Sequence, residues 1–477
     1  MKFRNTLLAL LVLTALGAFI YFYEYKGESE REKAQRDAKS LLVFERDQAA
    51  GFELQRPGEA AIALVKEADH WRLTSPVAAR ADDDKVSSLL STLGFLQVDE
   101  EIPDVAPGDL EGFGLGAGAV RLAVKSSTSD PVATVFLGGK TAVGGSHYAR
   151  RDGAGSVLVI SGGADQVLSS DLASLRYKKV VGVDSFKLKR FQIDRGSERL
   201  AVSHQDSDWR LELPQPFPAD SGKAQGLWFD MQSWEAESFA VESPAAADLA
   251  AHGLDRPLMT LTVEAQEQAE PLRVTFGRTA SSSDLFAQRS DTPSIMKVKS
   301  ETYDKIIQSM DAPMDLRDAR VAPVDRWQVD SVEIVPSGAG QARLLVKDSE
   351  AKWRWGAADG PEMPEEQVSG LLDAIEGLKA TGYIDRPAAS DQRETVLNVT
   401  LREAGEGTPV SWSFKIGVQG AQDGDTRRVV ASAATPIYLV PGAGAASLIE
   451  KSLALSKPEP QAAQAPADPN SQQPVEH

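Results

Sequence analysis

Three tryptophans, Trp71, Trp209 and Trp353, head the same pattern of residues, and that recurrence restricts the chain to folds built from a repeated unit. Fifteen residues after each tryptophan an apolar series begins at helical spacing. It reads Val86, Leu89, Leu90, Leu93, Leu96 in the first copy, then Ala224, Leu227, Trp228, Met231, Trp234, then Val368, Leu371, Leu372, Ile375, Leu378. Steps of three and four residues place such side chains on one stripe of an α-helix, so each copy is expected to hold an amphipathic helix with a buried face. Four residues ahead of each stripe stand Asp82, Asp220 and Pro364. A carboxylate accepts the orphan amide hydrogens of a first turn, and a proline has none to satisfy. The acidic run Asp82-Asp83-Asp84 lacks the spaced ligands of a calcium loop and reads as favourable charge at a helix start.

Upstream of each tryptophan the sequence alternates: Phe52, Leu54 then Ile62, Leu64; Phe191, Ile193 then Leu200, Val202; Val332, Ile334 then Leu344, Val346. Period two broken by turn residues predicts a β-hairpin. The tryptophan opens a third strand, with Leu73, Leu211 or Trp355 two positions on and therefore on the same face, and Pro76 and Pro214 close that strand in the first two copies. Further short strands converge on Leu137-Gly138, Phe276-Gly277 and Ile416-Gly417, whose glycines are 139 and 140 residues apart. Their common register marks Trp71, Trp209 and Trp353 as structural anchors of the repeat core, each expected to be buried against its own helix stripe rather than to serve as a ligand platform. Trp327 and Trp412 have no counterpart in this register.

The expected fold class is therefore α+β, with three tandem modules of β-hairpin, strand, helix and antiparallel strands spanning residues 42–182, 183–324 and 325–455. A chain of 477 residues is too long for one core and accommodates three.

Ahead of the modules, the nineteen residues from Asn5 to Tyr23 carry no charge, and as a helix they reach ~28 Å, about one hydrocarbon thickness. Lys2 and Arg4 precede them, which keeps the N-terminus in the cytoplasm and sends the rest across. The exit, Ile20-Tyr21-Phe22-Tyr23, is aromatic and offers no small-residue cleavage site, so residues 1–26 are read as a retained membrane anchor. Residues 27–41 alternate opposite charges and read as a stalk, and residues 456–477, rich in Pro, Ala and Gln, as a disordered tail. The expected location is the inner membrane, single pass, with the bulk extracytoplasmic.

Composition removes several classes of chemistry. With no cysteine there is no disulfide, thiol catalysis or cysteine-based zinc site. A formal charge of −18 repels a phosphate backbone, so no nucleic-acid partner is expected. None of the five histidines stands at helical metal spacing from another, and Ser146-His147, adjacent on a strand or turn, point apart and form no nucleophile and base couple. Gly138-Gly139 and Gly144-Gly145 lack the Lys-Ser/Thr pair of a phosphate loop. No catalytic, metal or cofactor site is expected. Arg150 and Arg151 form a basic cluster that is a candidate partner contact.

With Trp71-Arg72-Leu73-Thr74-Ser75-Pro76, Ala81-Asp82, Leu137-Gly138, Tyr148-Ala149-Arg150 and Leu175-Arg176 in place, the chain resembles the bacterial domain-of-unknown-function family 4340. The third copy departs from that pattern, with no proline after its tryptophan strand and no Tyr-Ala-Arg. The resemblance implies an anchored extracytoplasmic protein of the kind that often accompanies an ABC transporter with an auxiliary subunit of the gliding-motility type. The expected function is that of a non-enzymatic accessory component, with a transporter permease or auxiliary subunit as partner. An envelope peptide- or glycan-binding module is the alternative.

Overall fold

The computed structural model describes residues 39–458 apart from 45, 69, 127–130, 143, 207, 280–282, 339, 404–409, 421–422 and 432–435. The expected anchor, most of the stalk and nearly all of the tail lie outside the described residues. Among the described residues no helix is long and apolar enough to cross a membrane. The chain divides into two compact units, one made of the chain to His204 with Gly226–Ala312, the other of Gln205–Gln225 with the chain from Pro313.

Three antiparallel sheets follow one another along the sequence. The first contains β1 (Gly51–Gln55), β2 (Ile62–Glu67), β3 (His70–Ser75), β4 (Ala79–Arg80), β5 (Gln97–Ile102), β6 (Val120–Lys125), β7 (Pro131–Lys140), β8 (His147–Arg151) and β9 (Val157–Ser161), in the order β4-β3-β2-β1-β6-β7-β8-β9-β5. The second contains β10 (Leu188–Arg195), β11 (Glu198–Gln205), β12 (Asp208–Leu213), β13 (Phe217–Pro218), β14 (Ala236–Val241), β15 (Met259–Ala265), β16 (Leu272–Arg278), β17 (Leu285–Arg289) and β18 (Ile295–Val298), in the corresponding order β13-β12-β11-β10-β15-β16-β17-β18-β14. The third contains β19 (Val329–Pro336), β20 (Arg343–Lys347), β21 (Trp353–Trp355), β22 (Gly382–Ile384), β23 (Thr395–Glu403), β24 (Val410–Gly417), β25 (Thr426–Ala431) and β26 (Ile437–Pro441), ordered β21-β20-β19-β23-β24-β25-β26-β22. It is the same sheet with the short fourth strand reduced to a single bridge between Arg354 and Glu362.

In each module one helix carries the chain from the first edge of the sheet to the opposite edge: Asp83–Gly94, Ser221–Ser233 and Glu365–Glu376. The Oδ1 atoms of Asp82 and Asp220 accept from the amides of Lys85 and Lys223, each at 3.0 Å, and Pro364 takes the cap position in the third copy. Every residue of the three stripes is buried, none above the 6% of Leu227. The same two backbone hydrogen bonds recur in all modules. Leu41, Val180 and Val321 donate to Leu96, Trp234 and Leu378, while Ala81, Ala219 and Met363 donate to Trp71, Trp209 and Trp353, at 2.9 to 3.1 Å. Ser40 and Leu41, read from sequence as the end of the stalk, are therefore buried parts of the first module.

The hairpins pair Phe52 with Leu64, Phe191 with Val202 and Val332 with Leu345. The third pairing corrects the expected one. Leu345 is fully buried and Leu344 is 37% exposed, so the inward row contains Arg343, Leu345 and Lys347. Leu344-Leu345-Val346 is apolar without a break, so alternation leaves the register open there, and a slip of one residue exchanges the two faces.

The recurrent glycines have a steric cause. A Cβ on Gly277 would lie 2.5 Å from the Gly253 carbonyl carbon, and one on Gly138 would lie 2.4 Å from the Phe113 carbonyl oxygen. At these points a turn backbone crosses directly over the strand.

Candidate functional site

Charged side chains gather at the joints between successive modules and in a cleft of the third module. At the first joint, Asp82 N–H donates to the Leu175 carbonyl at 2.9 Å and Tyr177 N–H to that of Arg80 at 3.1 Å, adding a short extended segment beside β4. The segment delivers Arg176, 5% exposed, to Glu242 just past β14, with contacts of 2.5 and 2.7 Å. Its guanidinium lies 3.3 Å from the Phe239 ring centroid. The paired fork and the aromatic face together compensate the burial of a cation.

The second unit repeats this device. Asp220 and Asp318 amides donate to the carbonyls of Leu316 and Pro218, both at 2.8 Å, and Arg317 reaches Asp385 just past β22, Nη1 at 2.7 Å from Oδ1 and Nη2 at 3.0 Å from Oδ2. The guanidinium sits 4.4 Å over Tyr383 and 5.5 Å over Phe217. Burial raises the Tyr383 hydroxyl to about 12, against the pull of Arg317, and raises that of Tyr438, whose ring is 5.6 Å away. Leu175-Arg176, part of the sequence motif above, recurs as Leu316-Arg317. Their carboxylate partners do not recur in step: the arginines are 141 residues apart and the acids 143, so the acids fall outside the repeat register.

Of the two arginines expected to meet a partner, Arg151 donates to the carbonyls of Leu41 at 3.2 Å and Ser40 at 2.9 Å, and Arg150 lies 5.0 Å over the Phe136 ring. Arg289, at the matching place on β17, likewise caps the carbonyls of Lys179, Val180 and Val181. The structure thus places Arg151 at the entry to its own module.

The tryptophans divide. Trp71 and Trp209 are buried, at 4% and 8% exposure, whereas Trp353 is only half-buried, which corrects the expectation that all three anchor a closed core. In the first module Leu175 shares a buried cluster with Trp71. In the third, Pro364 has no N–H to hold such a segment, and among the described residues none lies beside it.

The open side of Trp353 forms one wall of a cavity of about 450 Å³ lined also by Trp327, Lys347, Arg326, Met363, Glu362 and Glu365. Trp327 is 80% exposed. Its backbone is fixed nonetheless: its amide donates to Asp325 Oδ1 at 3.0 Å and its carbonyl accepts from Lys347 Nζ at 3.1 Å. Arg326, 5.4 Å over the same indole, is held by Asp373 and by Ser369 Oγ at 3.1 Å. Lys347 Nζ stands 5.2 Å from the Trp353 ring centroid, and among the described residues no carboxylate is within ion-pairing distance of it. Burial pushes its ammonium below the usual lysine range, with Asp330 and Asp325 opposing from further off. Trp327 does have a counterpart. Val183-Asp184-Ser185-Phe186 aligns with Val324-Asp325-Arg326-Trp327, and Phe186 is 93% exposed. Alignment of these turns, rather than of the helix stripes, reveals the relation. Trp412 lies on the inward side of β24, two positions before buried Phe414.

A family model described as Domain of unknown function (DUF4340) matches residues 71–210 and again 209–398. The chain belongs to the DUF4340 family. The two DUF4340 matches begin at Trp71 and Trp209, the residues that head the first and second repeats, and the second extends into β23 of the third module. No curated protein matches the chain. Among solved structures, a Eubacterium rectale chain assigned as a DNA polymerase III beta subunit aligns at 9% identity, covering 85% of this chain and 93% of its own, with a TM-score of 0.15. Caulobacter crescentus pol III beta aligns at 11% identity, covering 85% and 94%, with a TM-score of 0.14. The DUF4340 match, and not these alignments, identifies the chain.

Proposed function

We propose that this DUF4340 protein is a non-enzymatic accessory component of an ABC-type transport system in the bacterial envelope, held at the inner membrane by residues 1–26 with its three sheets on the extracytoplasmic side. The observation that carries the reading is how the buried arginines are used. Arg176, Arg289 and Arg317 are each engaged by carbonyls or a carboxylate of the protein itself, and each ties one module to the chain of the next. Such an array supplies surface for assembly, and family resemblance supplies the transporter as partner. Solubilised from its native membrane with a mild detergent, the tagged protein is expected to bring down a transporter permease or auxiliary subunit. Recovery of the protein alone, at native expression and after chemical cross-linking, would overturn the assignment.

The cleft beside Trp327 and Trp353 favours a second reading, an envelope peptide- or glycan-binding module. A half-open aromatic pair next to an unpaired ammonium is a ligand-binding arrangement.

A further inference from the structure

We propose that the cleft of the third module binds an acidic sugar, a pyranose ring bearing a carboxylate, with Lys347 taking the carboxylate and the indoles of Trp327 and Trp353 taking the ring. The inference gives the binding-module reading a ligand class and is independent of the transporter assignment, which stands or falls by co-purification.

The cleft exists because the third module lacks an element that the others possess. In the first two, a Leu-Arg segment is hydrogen-bonded beside the residue that pairs with the tryptophan, and the tryptophan is closed over. In the third, Pro364 replaces the donating aspartate, the place of β4 is reduced to a single bridge between Arg354 and Glu362, and Trp353 stays half-open. Lys347 pairs across the strands with Trp353 as Lys66 pairs with Trp71, but Lys66 is exposed whereas Lys347 is half-buried in the cleft.

Three features select the ligand. Lys347 spends one donor on the Trp327 carbonyl and retains two, in a site where burial makes an unpaired ammonium costly and an arriving carboxylate correspondingly favourable. Indole faces carry negative π density that attracts the weakly positive C–H face of a pyranose, and Trp327 presents such a face on a backbone already pinned at both its amide and its carbonyl. A volume of about 450 Å³ lies in the range of small-ligand sites. A Leu-Arg peptide is disfavoured as occupant. Charge does not decide against it, since Glu362 and Glu365 line the cleft together with Lys347, Lys352 and Arg326, but Pro364 cannot supply the hydrogen bond that Asp82 and Asp220 give to such a segment.

The test titrates the full-length protein in detergent with a glucuronic acid–N-acetylglucosamine disaccharide, with its neutral glucose analogue and with a Leu-Arg peptide, by calorimetry and tryptophan fluorescence. Saturable binding of the acidic disaccharide is expected, with the neutral analogue at least about tenfold weaker, the worth of one charge-assisted hydrogen bond. Lys347→Met should weaken binding by a similar factor. Trp327→Ala, at an exposed position that leaves the core intact, should do the same, whereas Phe186→Ala, its counterpart in the second module, should change nothing. The proposal is overturned by absence of saturable binding, by equal binding of the two disaccharides, by insensitivity to both cleft variants, or by preference for the peptide.

Discussion

Trp209 and Trp353 hold the same place in two copies of one module, yet the first is 8% exposed and the second half-open. Trp209→Ala removes a large buried ring and should cost on the order of 3–5 kcal/mol, while Trp353→Ala, which forfeits only part of that burial, should cost about 1–2 kcal/mol in chemical denaturation. Equal losses would mean that the cleft closes in solution. A second contrast concerns the joint. The Arg317 side chain is 1% exposed and that of Asp385 42%. Asp385→Ala strands a buried cation and should destabilise by about 3 kcal/mol, whereas Arg317→Met leaves a carboxylate already in reach of water and should cost only about 1 kcal/mol. The opposite ranking would show that the guanidinium is stabilised by Tyr383 and Phe217 without need of the carboxylate.

Among elements, the crossing of a turn over a strand makes the sharpest demand. Gly277→Ala drives a methyl into the Gly253 and His252 backbone, which has no flexible end to move aside, and a loss of roughly 3 kcal/mol is expected in thermal or denaturant unfolding. A loss below about 1 kcal/mol would mean that the turn yields. The loop between β24 and β25 is held instead by charge. Asp423, with its side chain 1% exposed, accepts from Arg393, Arg428 and the Gly420 amide. Burial opposes its ionisation, but these donors outweigh burial and hold the carboxyl below the usual range. Because the folded value is the lower one, the contribution is complete above the unfolded carboxyl value of about 4 and is lost as pH falls through the folded value. Asp423→Asn should therefore flatten the acid side of the stability profile below about pH 4, and an unchanged profile would place the acid sensitivity elsewhere. The helices were legible in sequence because three- and four-residue spacing is a local property that survives in every copy. The third hairpin was not, since three apolar residues in a row permit two registers and only pairing with Val332 chooses between them.

For the whole molecule, the buried residues of the three sheets and helix stripes run from Leu41 to Leu455, so a version lacking residues 1–26 keeps these contacts and should fold as a soluble protein, while on the proposed transporter assignment it should fail to support that system. On that assignment the anchor's role is to raise effective concentration near the transporter, an advantage that a freely diffusing version loses. A form secreted by a cleavable signal separates the two requirements; full rescue of the phenotype at native expression would sink the anchoring role. The sequence by itself determined that the chain is a threefold α+β repeat, where each helix begins and which residues line each stripe, because these follow from periodicity and from backbone rules that act over a few residues. Only the tertiary structure decided that Arg176 and Arg317 fasten the joints, that Lys347 faces inward and that Trp353 is left open. Those outcomes depend on which distant carboxylate meets an arginine, on strand pairing and on whether a covering segment is present, and none of these is encoded within the span over which periodicity can be read.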